Sequence, residues 1–447
     1  MKAGYLWLLS FGLFPLAGWP LLAHASYRGL SRPCRIGLAA AVGCVLVSFW
    51  MTAAALAGIA WQPLWLIVFA ILTAFLLRLP LSGDKSPTWV SEAEGSAVGL
   101  PRIFAVLLTC GALAAAFAAT ATAAATSADL LIFWGPKAQA FAAARTIDAA
   151  FLRDPYLLYV HPSYPPLVTN LFAFSTMVAG RFAWGAVTFT FPLFLAALAL
   201  ALPGLLRQSA SARLAAGASA FIVAALGFLG SELDVAGNGD APLWLFEVSA
   251  AAILIGSAGP TAGGRLLAGL LFAGAACAKV EGLIFVALAG AFFLFLRRRE
   301  VRLLSTALYL FLPTALSLAA WFAFGRSRHL FTRYESYGPI LEIHWEILPT
   351  VLSGIGSQLW QAGFALPFLL PLLALVLAPG KSRLAILPVG VSVVLAVFFV
   401  FTYLHGDPHL SSWIGWSAGR IFSPLAALLA LASVVRGSGS RSGRMTA

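Results

Sequence analysis

Residues 103–125 read IFAVLLTCGALAAAFAATATAAA, and residues 126–167 continue as TSADLLIFWGPKAQAFAAARTIDAAFLRDPYLLYVHPSYPPL. The first part is an Ala-rich apolar run that is long enough to cross a bilayer, since a spanning helix needs about 20 residues. The second part brings Asp129, aromatic side chains, Lys137 and a Pro-rich turn directly after that run. Because a carboxylate beside a membrane helix is costly and is seldom kept without a role, we predict that the other helices support this loop.

The whole chain has the composition of a membrane protein. Of its 447 residues, 61% are hydrophobic and 10% are charged, and the mean hydropathy is +0.93. A soluble domain carries about 25% charged residues, and no polar segment here is long enough to bury a core of its own. The recurring apolar runs predict an all-α integral membrane protein with about 13 transmembrane helices and with interfacial helices in the large loop.

The net charge of +12 is accounted for by the orientation of the chain in the membrane. The polar segments between the apolar runs fall into two sets. One set contains 18 of the 28 Lys and Arg residues but 4 of the 16 Asp and Glu residues. The positive-inside rule makes this set cytoplasmic. It consists of residues 25–35, 78–102, 207–213, 265, 297–302, 381–383 and 436–447. We therefore predict a multi-pass protein of the cell (inner or plasma) membrane, with a cytoplasmic C-terminus and no nucleic-acid partner.

The chain divides into three parts. Residues 1–102 predict an N-terminal accessory group of membrane helices with a cytoplasmic loop, residues 103–435 the main membrane domain, and residues 436–447 a disordered tail of Gly, Ser and Arg. Within the outer loop, residues 134–150 predict an amphipathic helix on the membrane surface. Residues 167–179 predict a re-entrant or interfacial helix, because a full crossing there would move Arg207 to the outer side.

Asp129 lies about one turn beyond the end of the Ala-rich helix. One interpretation makes it a general base that removes a proton from an acceptor hydroxyl while a sugar is transferred to that oxygen. The alternative is an Asp that only ends a helix at the membrane interface.

A second acidic group lies in the segment SELDVAGNGDAPL at residues 231–243 and in the helix that follows. Asp240 precedes Ala and Pro, so it stands at a helix start, where a carboxylate caps free N–H groups. Glu247 lies two turns deeper on the same face, and a cap alone does not need it. These carboxylates position substrate hydroxyls in one interpretation. In another, Asp234 and Asp240 hold a divalent cation, for which Mg²⁺ or Mn²⁺ suits oxygen ligands.

Two further groups contain basic residues on the predicted outer side. Lys279 is followed closely by Glu281 at the tip of a helical hairpin; the two form either a phosphate-binding group or an ion pair at the interface. Trp413 and Arg420 fall seven residues apart on one helical face. They mark either a membrane-interface belt or an Arg fork for a phosphate.

His161 and Tyr164 flank the Pro-rich turn, where a lone His is more often structural than a ligand. The sequence contains no Walker loop, no dinucleotide-binding glycine motif, no HExxH and no nucleophile elbow. Chemistry on soluble nucleotides therefore lacks its usual signatures.

Four short pieces in this order resemble the GT-C superfamily of polytopic glycosyltransferases, which includes protein O-mannosyltransferases and bacterial lipid A aminoarabinose transferases. They are Asp129 with FW at 133–134 and KA at 137–138, YPPL at 164–167, GDAPL at 239–243 and KVEG at 279–282. The Trp413 and Arg420 ending is also similar to bacterial members. The sequence departs from the family in two ways: three helices precede the loop, and Asp129 is not one of a pair of acids.

The resemblance implies a GT-C-like fold and an inverting sugar transfer at the extracytoplasmic face. The donor would be a sugar linked to a polyprenyl phosphate, and the acceptor a lipid, a glycan or a protein. Asp129 maps to the catalytic base, and the donor phosphate would be met by Lys137, Lys279 and Arg420. The candidate substrate-binding residues are Trp134, His161, Tyr164, Asp240, Glu247, Glu281 and Trp413. No cofactor is indicated beyond the divalent cation considered above.

A transporter or flippase for a lipid-linked sugar is the second hypothesis. Such a protein lines a central cavity with charges from many spans, whereas here Glu247 is the clear case of a charged residue inside a predicted span. A membrane scaffold without chemistry is the third, and the acids and bases in several outer loops disfavour it.

Overall fold

A computed structural model describes residues 2–81, 100–122, 127–154, 156–157, 161–232, 235–330, 343–361, 365–378, 380, 382–405 and 409–438. Throughout these ranges the regular elements are helices, and no strand occurs in them. The predicted all-α class is therefore confirmed for the described part of the chain. The bilayer interior contains no water to hydrogen-bond the backbone N–H and C=O groups. Apolar runs of this length therefore fold as helices, in which these groups bond to each other.

Five α-helices of the described residues precede the loop that follows residue 126. They are α1 (Lys2–Ser10), α2 (Leu13–Leu22), α3 (Arg32–Leu56), α4 (Pro63–Leu76) and α5 (Leu100–Thr122). Proline occupies one of the first two helical positions of both α3 and α4, where its missing N–H has no intrahelical partner to lose. Because α3 packs against helices on several sides, including the later bundle, the N-terminal part is joined closely to the rest.

The loop itself is built from short helices. A π-helix covers Asp129–Trp134 and continues as α6 (Gly135–Ala144), followed by α7 (Ala149–Leu152), α8 (Leu167–Ala179) and α9 (Trp184–Val187). The surface helix expected over residues 134–150 differs from this. It ends at Ala144, because Arg145 is left-handed with φ 50°, and it buries Lys137, one of the charged residues on which the amphipathic pattern was based.

Ten further α-helices follow in the described residues. They are α10 (Thr190–Leu206), α11 (Ala212–Glu232), α12 (Asp240–Ile255), α13 (Ala262–Ala278), α14 (Val280–Arg297), α15 (Leu303–Ser327), α16 (Leu348–Gln361), α17 (Ala365–Leu377), α18 (Ile386–Tyr403) and α19 (Leu410–Ser438). The tail expected from Arg436 therefore begins inside α19; residues 439–447 lie outside the described part.

By length and composition, ten helical segments of the described residues can cross a membrane, and a pair bent by 95° makes eleven if it counts as one span. The ten are Lys2–Leu22, Arg32–Leu56, Pro63–Leu81, Leu100–Thr122, Trp184–Leu206, Ala212–Ser231, Val280–Arg297, Leu303–Ser327, Arg383–Tyr403 and Leu410–Gly437. The protein is thus a multi-pass membrane protein. The helices α8 and α13 are apolar but shorter, so the number thirteen stays a prediction.

The centre of the bundle is α12. All of its residues are buried, as expected for a helix that is surrounded by others; it packs against α10, α13, α14 and α19. In contrast, α5 exposes apolar side chains such as Leu100, at 81%, which is the pattern of a helix that faces lipid. Since Asp240 begins α12 and Glu247 lies two turns further along it, two carboxylates enter the core with this helix.

The helix α8 packs inside the bundle, with its first ten residues buried. Its Asn170 side chain donates hydrogen bonds to the carbonyl and hydroxyl oxygens of Ser48, both at 3.2 Å, and to the Thr52 hydroxyl at 3.1 Å. Buried amides need such partners where water is absent. These three residues, which we call the Asn170 cluster, tie α8 to α3.

Candidate functional site

Charged side chains from four separate helical segments meet at one end of the bundle. Asp129 begins the π-helix, Asp240 begins α12, Lys279 lies between α13 and α14, and Arg420 lies in α19. Three of these positions are helix boundaries, so the site is assembled from the turns of neighbouring hairpins. We call these four residues the ion network.

Asp240 joins the two cations of the ion network. The Lys279 Nζ donates to its Oδ1 at 2.8 Å, and the Arg420 Nη1 lies 3.8 Å from its Oδ2. The same Nη1 donates to the Asp129 Oδ2 at 2.6 Å. These are charge-assisted contacts, which are shorter and stronger than neutral hydrogen bonds. The network therefore links α12, the α13–α14 junction, α19 and the π-helix in one chain of contacts.

Burial decreases along the ion network from Asp240 to Asp129. The side chains of Asp240 and Lys279 are 2% and 9% exposed, whereas those of Arg420 and Asp129 are 15% and 37% exposed. A buried pair has little free surface for a ligand, while a half-exposed carboxylate can meet a molecule from outside. Asp129 is thus the member of the network that an incoming hydroxyl group can reach most readily.

The position of Lys279 depends on a tight turn. Its backbone is extended between two helices, with φ −153° and ψ 161°, and α14 approaches α13 closely at Gly282. A Cβ at Gly282 would lie 2.0 Å from the Ala275 carbonyl oxygen, so only glycine fits there.

The Lys279 ammonium is held in its charged form. Burial on its own would lower the pKa of Lys279, but the carboxylates of Asp240 and Glu281 outweigh that effect and raise the pKa above its usual value. The Glu281 Oε1 lies 3.6 Å from the Lys279 Nζ. Lys279 is therefore a permanent cation at neutral pH.

A small cavity of about 10 Å³ lies beside the ion network, with Glu247, Glu281 and the α18 side chains Leu395 and Phe399 in its wall. That volume suits about one water molecule. Four buried polar atoms around it have no hydrogen-bond partner among the described residues: Asp240 Oδ2, Glu247 Oε2, Glu281 Oε2 and Arg420 Nε. Buried polar atoms without partners are rare, and here they gather at one place.

An aromatic cluster of Phe133, Trp134, His161 and Tyr164 lies next to the ion network. The Phe133 ring centroid is 5.4 Å from that of His161 and 5.2 Å from that of Tyr164, both nearly edge to face. Trp134 and Tyr164 are 6.0 Å apart. His161 has a left-handed backbone, with φ 44°, which is uncommon for a residue other than glycine.

The aromatic cluster and the ion network meet at Gly239. A Cβ added there would lie 3.1 Å from the Lys279 Cγ and 3.3 Å from the Trp134 Cζ2. The predicted substrate-binding residues Trp134, His161 and Tyr164 are thus brought together, and the predicted phosphate-binding residues Lys279 and Arg420 lie in the adjoining network.

Lys137 and Trp413 lie in different surroundings. The Lys137 ammonium donates to the His161 carbonyl oxygen at 3.1 Å and lies 3.9 Å from the centre of the Phe133 ring, a cation–π contact. The Trp413 ring packs 4.9 Å from that of Tyr403, which joins α19 to α18. Lys137 therefore supports the aromatic cluster, and Trp413 supports the helix that carries Arg420.

The divalent-cation site at Asp234 and Asp240 stays a prediction. The described residues contain no group of three or more His, Cys, Asp or Glu side chains arranged to hold a metal ion, and Asp240 is paired with Lys279. Asp234, the other predicted ligand, lies outside the described residues.

Sequence reasoning missed several residues of the site. The Asn238 side chain accepts the Asp240 N–H at 3.1 Å, and the Tyr403 hydroxyl is 2.6 Å from that of Ser417. The segment NGD at residues 238–240 is a typical turn signal and pointed to Asn238. Tyr403 ends an apolar run without any such signal.

The sequence matches no known family model, and neither the curated proteins nor the solved structures contain a match.

Proposed function

We propose that this protein is a membrane glycosyltransferase that moves a sugar from a polyprenyl-phosphate donor to a hydroxyl group of a lipid, glycan or protein acceptor. The observation that carries the proposal is the ion network itself. A partly exposed carboxylate, Asp129, is paired with the partly buried Arg420, which adjoins the buried pair of Asp240 and Lys279. Base and phosphate-binding cations at adjacent positions are what transfer from a sugar phosphate requires.

In the proposed reaction, Asp129 takes the proton of the acceptor hydroxyl as its oxygen attacks the anomeric carbon of the sugar. The new carbon–oxygen bond forms as the bond between that carbon and the phosphate oxygen breaks, so the anomeric configuration inverts. The polyprenyl phosphate leaves with the electron pair of the broken bond. Lys279 and Arg420 stabilise the negative charge that develops on it, because fixed cations act strongly in a site of low polarity.

Arg420 has a second role in this proposal. In the structure it is bonded to Asp129, which restrains the carboxylate before substrate arrives. A donor phosphate offers the guanidinium a planar set of oxygens to bind, and its arrival draws Arg420 away from Asp129. The base is thereby released when the donor is in place, which limits wasteful reaction of Asp129 with water or other hydroxyl groups.

The remaining predicted site residues serve the sugar. Aromatic rings such as Trp134 and Tyr164 offer flat surfaces for its apolar face, and the free carboxylate oxygens of Glu247 and Glu281 offer acceptors for its hydroxyl groups. The cavity between those carboxylates, about 10 Å³, is too small for a sugar. Binding therefore requires α18 and α19 to separate at this end of the bundle.

The proposal includes the orientation and architecture predicted from the sequence. The ion network would face the extracytoplasmic side and the C-terminus the cytoplasm, with about 13 crossings and a GT-C-like arrangement. A lipid-linked donor would then enter sideways from the bilayer between helices, and its phosphate would lie at the depth of the lipid head groups.

The experiment that tests this proposal is sugar transfer by the full-length protein in proteoliposomes. Radiolabelled polyprenyl-phosphate hexoses, pentoses and aminopentoses are supplied with a membrane extract as the source of acceptors. We expect label to pass from one donor class to an acceptor, with inversion at the anomeric carbon. Movement of intact donor between leaflets without transfer would refute the proposal and favour the transporter hypothesis.

A further inference from the structure

We propose that the surface around Arg145 and Arg181 binds an anionic phospholipid of the surrounding bilayer. This inference stands apart from the proposed transferase activity. It rests on two neighbouring depressions that share Arg181 and Phe182. One is a pocket of about 440 Å³ that includes Gln139 and Arg145, and the other is a groove of about 520 Å³ that includes Tyr5. We call the first the arginine pocket and the second the apolar groove.

The two arginines are placed side by side by the ends of two packed helices. The helix α6 ends in the left-handed Arg145, and α8 ends in the left-handed Gly180, directly before Arg181. The two helices pack against each other. The Arg145 carbonyl oxygen also accepts the Trp61 N–H at 2.7 Å, which fixes the backbone at this point.

Both guanidinium groups are available to a ligand. Arg145 and Arg181 are exposed, and neither side chain has an ion pair or a hydrogen bond with the described residues. Among the described residues, no acidic side chain lines either depression. The C-terminus of each helix contributes about half a negative charge, so two full positive charges leave the arginine pocket net positive.

The apolar groove continues from the arginine pocket between α1 and α9. Its walls are the side chains of Tyr5, Leu8, Phe182, Trp184 and Phe189. The Phe182 and Trp184 rings are 4.7 Å apart, nearly edge to face. Aromatic side chains beside free arginines are typical of the level of lipid head groups.

The pairing of the two depressions identifies the ligand class. A phosphate alone would use the arginine pocket but not the groove, and a neutral lipid would use the groove but not the arginines. An anionic phospholipid uses both, with its phosphate on the arginines and an acyl chain along the groove. Such basic sites on membrane proteins gain about 1 kcal/mol for each Lys or Arg, which is about fivefold in affinity for each arginine.

Native mass spectrometry of the full-length protein in detergent tests this inference. Dioleoylphosphatidylglycerol and dioleoylphosphatidylcholine, which share their acyl chains, are titrated separately. We expect the anionic lipid to bind at least tenfold more tightly. The double variant Arg145→Asn/Arg181→Gln should lose this preference, whereas Arg102→Gln, at another exposed arginine, should keep it. Asn is used at position 145 because it tolerates a left-handed backbone.

The apolar groove is tested by Gly185→Leu. A Cβ at Gly185 would meet no atom within 4 Å, so the new side chain fills the groove without disturbing the packing. We expect it to weaken binding of both lipids at least fivefold. Gly217→Leu in α11, where a Cβ also meets no atom within 4 Å, should leave binding unchanged.

Two results would overturn the inference. One is an anionic preference that survives the double arginine variant. The other is displacement of phosphatidylglycerol by millimolar inorganic phosphate together with normal binding to Gly185→Leu, which would make the site one for free phosphate. The folding control is thermal unfolding of each variant, which should show the same transition as the parent protein.

Discussion

At the end of the bundle that carries the ion network, two of the described ion pairs join distant parts of the chain, whereas the pair described at the opposite end, Arg297 with Glu300, is local. Arg420 and Asp129 are 291 residues apart, and Lys279 and Asp240 are 39 residues apart. At the far end of α14, Arg297 pairs with Glu300 of the following turn. The helix α14 thus begins beside a buried long-range pair and ends beside a local one.

This difference suggests two roles for the charged residues. Those at the opposite end fit a role in membrane orientation, and those of the ion network fit a role in a site. Arginines at the opposite end are those that the positive-inside rule predicts to be cytoplasmic, and one of them, Arg265, donates to a neutral partner, the Thr306 hydroxyl, at 2.6 Å. Buried ion pairs are costly to form, because both charges lose their water. The buried pair of Asp240 and Lys279, joined through Arg420 to Asp129, therefore favours a functional site over a purely stabilising role.

The largest effect on stability is expected for Lys279→Met. It leaves the buried Asp240 carboxylate without its closest cation, and such a loss costs about 3–5 kcal/mol. The measurement is the free energy of unfolding by SDS titration in mixed micelles. The double variant Asp240→Leu/Lys279→Met should recover part of the loss, since no charge is then left unpaired. A loss of less than about 1 kcal/mol in the free energy of unfolding for Lys279→Met would contradict the proposed difference between the two ends of the bundle.

A middle-sized effect is expected in the Asn170 cluster, which is buried but uncharged. Asn170→Ala removes the donor that binds Ser48 and Thr52, and we expect a loss of about 1–2 kcal/mol in the same titration. The control is Thr109→Ala, whose hydroxyl bonds only within its own helix and which should change stability little. A loss as large as that of Lys279→Met would show that burial, and not charge, distinguishes the ion network.

The smallest effect is expected at the opposite end. Arg297→Gln removes an i,i+3 pair whose Glu300 side chain is 51% exposed, and pairs of this kind contribute about 0.3–0.5 kcal/mol. The difference between this variant and the parent protein should shrink further as salt is raised. A loss of several kcal/mol would mean that both ends depend on ion pairs to a similar degree.

Much of the fold could be predicted from the sequence, because apolar runs and helix signals are local. Most of the helices lie where the apolar runs predicted them, and α8 is short, as its sequence suggested. The prediction of one helix over residues 134–150 was wrong in its extent, because α6 ends at Ala144 and α7 begins at Ala149. Its spacing of Lys137, Arg145 and Asp148 looked amphipathic, but Lys137 is buried under His161 and Arg145 ends the helix with a left-handed backbone.

The site could be predicted as a set of residues but not as a set of contacts. Asp129, Asp240, Lys279 and Arg420 were all candidates, because ionisable residues next to apolar helices stand out. Which of these side chains pair depends on how the four helical segments pack against each other, and no local sequence pattern encodes that packing. The same holds for Tyr403 and Phe399, which look like ordinary members of an apolar helix until α18 is placed against α19.

The most direct test of the central claim is the rate of sugar transfer by Asp129→Asn at saturating donor, measured together with the affinity for that donor. Asn keeps the size and the hydrogen bond to Arg420 but cannot take a proton. The control is Asp154→Asn in the same loop. Among the described residues, the Asp154 carboxylate accepts one hydrogen bond, from the N–H of the nearby Tyr156.

We predict that transfer by Asp129→Asn falls about 10²–10⁴-fold while donor affinity stays within about twofold, and that Asp154→Asn behaves like the parent protein. Transfer by Asp129→Asn at the parent rate would contradict the account.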